Sequence, residues 1–294
     1  GAVVLKSLFE EEIVAEMAKT QQAMQRPGFL FPETTDMDDL IEDESGMTTY
    51  LSLIGDAKTA VDIPVIASVN CISAKTWPSY AGMIERSGAD ALELNVFLMP
   101  SDTAATNPVA FERTYTEIVE AVRAEVSIPV ALKVSPYFTL LARTLREFSD
   151  SGIAGLVLFN RFFNPDYDLE TLEVVPTNVL SSPELLHVSL RWVAIMSGAA
   201  TCDIAASTGV HDGDAVIKQL LAGAQVVQVA SALYRDGIDV VSAMNARLRE
   251  WMDARGFGDL AAFRGRMAAG RLEDPAVYDR AQFVRNYRGF GRAV

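Results

Sequence analysis

Residues 203–237, DIAASTGVHDGDAVIKQLLAGAQVVQVASALYRDG, repeat one short pattern. The apolar run Ile204–Ala206 stops at the small polar turn Ser207-Thr208-Gly209, and helical spacing then covers Asp212–Ala222. A second apolar run, Val226–Ala230, stops at Ser231. Parallel strands that end on small residues beside helix N-termini leave backbone N–H groups aimed at one spot, which suits a phosphate. Such a grip lies after the last two strands of many (β/α) barrels.

The preceding chain follows the same grammar. Strands are expected at Ala2–Lys6, Pro64–Asn70, Ala91–Asn95, Pro129–Lys133 and Gly155–Asn160. Helices are expected over Ser7–Met24, Pro78–Ser87, Pro108–Ala124, Thr139–Asp150 and Pro183–Met196. Fully apolar strands alternating with helices mean a parallel sheet covered by helices, an α/β fold of TIM (β/α)8 barrel type. The strands number seven, so the expected barrel lacks its first βα unit; a seven-stranded open sheet is the competing architecture. The whole of 1–294 reads as one domain. It carries an acidic insertion at 26–47 and a basic, aromatic-bearing helical tail at 256–294, expected to pack on the acidic body or on another subunit.

Composition narrows the function. A formal charge of −14 argues against nucleic acid as a partner. Two cysteines, Cys71 and Cys202, support neither a disulfide framework nor a zinc cluster and fit a reducing cytoplasm. No apolar run approaches the ~20 residues of a membrane helix, and no secretory leader opens the sequence.

In a barrel the C-terminal strand ends face the active site. Those ends are Lys6, Asn70, Asn95, Lys133, Asn160, Thr208 with Gly209, and Ser231. Lysines can neutralise an electron-rich ring or an anion, and amides supply donors and acceptors to a flat, heteroatom-bearing molecule.

These residues also carry a resemblance. GAVVLKS, LELN, PVALKVSP, LFN, STGVHDG and QVASALY resemble the dihydroorotate dehydrogenase family, most of all its class 1 members, along essentially the whole chain. The resemblance implies an FMN-bound (β/α)8 barrel that oxidises the CH–CH bond of dihydroorotate to orotate in pyrimidine biosynthesis. It also implies a possible homodimer. By position it places Lys6 and Ser7 near flavin and substrate, Asn95 as the first Asn of the N-x-S-C-P-N loop on flavin and substrate, Lys133 on the flavin and Asn160 on orotate. It places Ser181 and Ser182, Thr208 with Gly209, and Ala230 with Ser231 around the FMN.

Some positions depart from the family. Residues 95–100 read Asn-Val-Phe-Leu-Met-Pro, so Leu98 stands where the family has its Cys or Ser base and Pro100 where it has a second Asn. Arg161 replaces the Ser after Asn160, and the family's N-x-x-G-x-x-N motif is missing between Lys6 and Asn70. Candidate bases nearby are Ser101, Asp102 and Tyr137. Of the two histidines, His187 is expected on a helix surface and His211 beside the phosphate turn. Two rival readings follow from the same residues: a Schiff-base aldolase using Lys133, and a barrel that has lost catalysis and serves as a flavin-binding or assembly subunit.

Overall fold

The structure, a computed structural model, describes residues 1–10, 46–71, 77–96, 98–99, 101, 107–161, 164–177 and 179–278. The chain divides into two compact units, Gly1–Leu132 and Lys133–Val294. The division falls inside strand β5 (Val130–Val134).

In the first unit, β1 (Val3–Val4) and β2 (Leu8–Phe9) both pair in parallel with β3 (Val65–Cys71), and β3 pairs with β4 (Ala91–Val96). Three helices join them: α1 (Gly46–Ala60), α2 (Trp77–Arg86) and α3 (Pro108–Arg123). Successive strand side chains point to opposite faces. Leu92, Leu94 and Val96 are fully buried on one face of β4, and Glu93 and Asn95 stand on the other. Helix α3 is capped by the Asn107 side chain, which accepts from the Val109 amide at 3.0 Å, with Pro108 opening the first turn. It buries Tyr115, Ile118, Val119 and Val122 along one stripe.

The expected helix from Ser7 needs correction at its start. Leu8 is buried and pairs with Val69, and Phe9 with Asn70, so this stretch extends the sheet. Strand pairing overrides helical spacing there; residues 11–24 of that helix lie outside the described residues. The register also shifts. Val3 opposes Val65 and Leu8 opposes Val69, so Leu5-Lys6-Ser7 holds one residue more than the facing segment of β3. This is a bulge, a device that re-aims side chains and interrupts the ladder. The Tyr50 hydroxyl fills the interruption, donating to the Ser68 carbonyl at 2.9 Å and accepting from the Ser68 amide at 2.8 Å. Burial, with the charge of Glu93 adding to it, pushes the Tyr50 phenol up to about 12.

The second unit continues with β6 (Gly155–Leu158), β9 (Asp203–Ala206) and β10 (Val226–Val227), β6 pairing with β9 and β9 with β10, all parallel. Its helices are α4 (Leu141–Ser149), α5 (Leu186–Met196), α6 (Gly213–Ala222), α7 (Ser231–Asp236) and α8 (Asp239–Arg255). The stretch expected to be a long loop after Asn160 contains an antiparallel hairpin, β7 (Pro165–Tyr167) with β8 (Val174–Pro176). Three of the expected strands are shorter: β1 holds only Val3–Val4, β6 only Gly155–Leu158 and β10 only Val226–Val227. The 26–47 insertion lies outside the described residues except for Gly46 and Met47, which open α1. Beyond α8, Gly265 and Met267 donate to the Leu220 and Leu221 carbonyls, Phe257 packs tilted against Trp251, and Phe263 meets it edge-on. Among the described residues no helix is long and apolar enough to cross a membrane.

Two stability outcomes follow. Replacing Tyr50 with Phe strands a buried N–H and C=O on Ser68, and urea unfolding should show a loss of about 1–3 kcal/mol. Asp90 accepts from the Val65 amide at 2.7 Å and pairs with Lys58 at 2.7 Å, and the Lys58 and Val65 hydrogen bonds hold its carboxyl below the usual range. A folded-state pKa held low gives stability that is present above the unfolded pKa and lost as pH falls through the folded one. Asp90→Asn should therefore melt below the parent at pH 7, and the difference should close on acidification below about pH 4.

Candidate functional site

Each unit gathers the polar residues expected at strand ends. In the first unit, register places Ser68 opposite Glu93 and Asn70 opposite Asn95. All four lie on the face away from Leu92 and Leu94, because each is two residues from the next along its strand. Asn70 is 3% exposed and Glu93 2%. The bulge brings Ser7 to them: its Oγ lies 2.8 Å from Ser68 Oγ, and Asn95 Nδ2 donates to it at 3.4 Å. Ser68 Oγ in turn donates to Glu93 Oε1 at 3.3 Å. Asn95 Oδ1 is buried with no partner among the described residues. Lys6 is exposed in the same bulge. Ser68 and Glu93 were not singled out in the sequence, although Glu93 stands two residues before Asn95 and so shares its face.

The second unit forms a cleft of about 200 Å³ lined by Lys133, Asn160, Arg161, Ser181, the Ser207–Gly209 turn, Gln228, Ala230 and Ser231. Lys133 Nζ donates to Gln228 Oε1 at 3.3 Å, and the buried Asn160 donates from its amide to the Val134 carbonyl at 2.8 Å. Arg161 reaches the Val179 carbonyl at 2.6 Å, so its guanidinium is tied to the hairpin side of the cleft. Ser231 Oγ accepts from the Ser181 amide at 2.9 Å, and Ser181 Oγ meets His211 Nε2 at 3.1 Å. Ser182 precedes a 3-10 turn, and its hydroxyl, bonded to Glu184, holds that carboxyl below its usual range. His187 is exposed on α5 and His211 buried beside the turn. Among the base candidates Ser101 is exposed, Tyr137 is 45% exposed with its amide on Ser135 Oγ, and Asp102 lies outside the described residues.

The turn has an unusual backbone. Thr208 and Gly209 both take left-handed dihedrals, φ +74° and +77°. Thr208 is β-branched, so that conformation is strained; its Oγ1 is anchored to the Phe159 carbonyl at 3.0 Å. A Cβ on Gly209 would stand 2.2 Å from the Leu186 amide nitrogen. The Gly209 and Val210 amides make no hydrogen bond within the described residues. Successive unbonded N–H groups in such a turn form an anion-binding concavity. The cleft is smaller than the ~300 Å³ at which small-molecule pockets commonly begin. It suits the phosphate end of a larger ligand, with Lys133 and Asn160 at neighbouring strand ends for the remainder.

The sequence model of the dihydroorotate dehydrogenase family matches residues 12–252. Among curated relatives, the dihydroorotate dehydrogenase B (NAD(+)) catalytic subunit of Thermoplasma volcanium is 24% identical over 86% of this chain and 86% of its own length. The corresponding subunit of Bacillus cytotoxicus is 27% identical over 70% of this chain and 67% of its own. That of Methanothermobacter thermautotrophicus is 28% identical over 68% and 67%.

Gly209→Ala should lower stability by several kcal/mol or unfold the cleft, because both the dihedral and the contact with Leu186 forbid a side chain there. Thr208→Gly relieves strain of about 1 kcal/mol but removes the Phe159 bond, so melting temperatures should differ little while Gly209→Ala falls sharply.

Proposed function

Because the chain belongs to the dihydroorotate dehydrogenase family, we propose that its two polar clusters serve an FMN-dependent oxidation of a CH–CH bond, that of dihydroorotate to orotate. The fold class is the α/β, parallel-stranded one of TIM barrels. The observation that carries the reading is the cleft of the second unit, where a turn with unbonded amides adjoins Lys133 and Asn160. Thr208, Gly209, Ala230 and Ser231 would hold the FMN phosphate, with Ser181 and Ser182 beside them, and Lys133 would serve the ring. Bound FMN supplies the two-electron acceptor for a hydride. Lys6, Asn95 and Asn160 would hold substrate, and Lys6, Ser7 and Asn95 would also contact the flavin. The positive charge of Lys133 favours negative charge on a reduced ring.

The substrate half departs from the family pattern at Leu98 and Arg161. Leu98 offers no proton acceptor, and Arg161 places a guanidinium beside Asn160 where a carboxylate-bearing ring could be paired. Of the electron acceptors open to such an enzyme, fumarate, quinone or NAD, the names of the relatives favour NAD. A homodimer in the cytoplasm completes the reading; the class 1 resemblance supports the dimer, and two scattered cysteines support a reducing compartment. Burial and the neighbouring Asp203 push the Cys202 thiol up to about 11, which keeps it an inert thiol rather than a nucleophile.

Purified protein should be yellow and release FMN on denaturation, and anaerobic dihydroorotate should bleach it. Lys133→Ala should lose the flavin or slow its reduction at least tenfold. Full FMN content and turnover in that variant would remove Lys133 from the site, and borohydride trapping of a substrate on Lys133 would replace this reading with the aldolase.

A further inference from the structure

We propose that the proton taken from the substrate is received by Ser7 and passed through Ser68 to Glu93, which finally holds it. The inference rests on the reading of the protein as a dihydroorotate-oxidising enzyme, and it answers the question that Leu98 raises.

Three hydrogen-bonded groups make the path. Ser7 Oγ and Ser68 Oγ are 2.8 Å apart, and Ser68 Oγ donates to Glu93 Oε1 at 3.3 Å. The second distance is longer than the usual ~2.5–3.0 Å, as hydrogen bonds in resting active sites commonly are before they tighten around a reacting complex. The donor direction of the Ser68 bond runs toward the carboxylate, which leaves the Ser68 oxygen as acceptor for the Ser7 proton. A serine hydroxyl is a weak base alone and is activated when a neighbouring base takes its proton. A carboxylate 2% exposed, two residues from Asn95 on the same strand face, is costly to keep buried.

The surrounding groups fit that role. Asn95 Nδ2 donates to Ser7 Oγ at 3.4 Å and steers its lone pairs, while the buried Asn95 Oδ1 has no partner among the described residues. Tyr50 bridges the Ser68 backbone and, with its phenol pushed up to about 12, stays protonated and does not compete for the proton. Lys6, next to Ser7, adds positive charge at the entrance. In the step itself the substrate C–H bond breaks and its electron pair becomes the new π bond, as hydride departs from the neighbouring carbon to the oxidant of the proposed reaction. The proton lands on Ser7 Oγ, the Ser7 hydroxyl proton moves to Ser68, and the Ser68 proton moves to Glu93 Oε1. Both serines end unchanged and Glu93 ends neutral.

The test uses the FMN-loaded protein, mixed anaerobically with dihydroorotate and followed by loss of the oxidised flavin band. Glu93→Gln and Ser7→Ala should bleach about 100-fold more slowly or worse at saturating FMN and dihydroorotate, and Glu93→Gln should keep FMN content and orotate affinity within threefold of the parent. Ser7→Thr, which restores a hydroxyl, should recover most of the rate. Should Glu93→Gln fail to fold, the half-exposed Ser7 pair of variants decides the matter alone. Infrared difference spectra of flavin-free parent against Glu93→Gln should contain the bands of an ionised carboxylate. Parental bleaching in Glu93→Gln or in Ser7→Ala, or a protonated-acid band in the flavin-free difference spectrum, overturns the relay and leaves the proposed function standing. No bleaching of the parent by dihydroorotate overturns the proposed function and the relay with it.

Discussion

A parallel strand packed under helices can commit only every second side chain to the helix layer. In β4 that constraint sends Leu92, Leu94 and Val96 one way and Glu93 and Asn95 the other. In β5 it sends Val130, Leu132 and Val134 to the buried side and Lys133 to the opposite one. Chemistry-bearing residues thus share a face because their neighbours are claimed by the core. The same rule makes Glu93 and Asn95 members of one cluster although only Asn95 ends its strand.

Where the strand rule is broken, the break is itself organised. One extra residue in Leu5-Lys6-Ser7 changes the register between β1 and β2. The backbone groups this leaves on Ser68 are satisfied by Tyr50 from α1, a residue far from β3 in sequence. The bulge gives up a ladder position and brings Ser7 against Ser68 and Asn95.

The parts of this arrangement legible in the sequence were those with a local signal. Apolar runs bounded by Ile-Pro, Gly and small polar turns marked the strands from Val65 to Ala206 closely, and the Asn107-Pro108 and Asp212-Gly213 starts marked helices because capping chemistry is local. In sequence the short β2 resembles helix because Leu8 fits a helical stripe, and only its pairing with Val69 decides otherwise. The β7–β8 hairpin gave no alternation to read, since its residues are largely exposed on both faces. At the site, strand-end position identified Lys133 and Asn160, while Ser68 and Gln228 depend on partners distant in sequence. The positive φ of Thr208 is likewise invisible in a threonine codon, although Gly209 beside it signalled a turn.

The packing of Gly209 against the start of α5 carries a thermodynamic meaning. With the Leu186 amide so close that no side chain could intervene, the turn and the first residues of the helix move as one body. Leu186 also packs with Val210 and Ala215, and α5 is fastened to α6 through Ser189 and Gln219 at 2.6 Å. An anion seated on the turn therefore stabilises two helices it never touches, by mass action on a shared local unfolding equilibrium. Amide exchange across α5 and α6 would then report whether an anion occupies the turn.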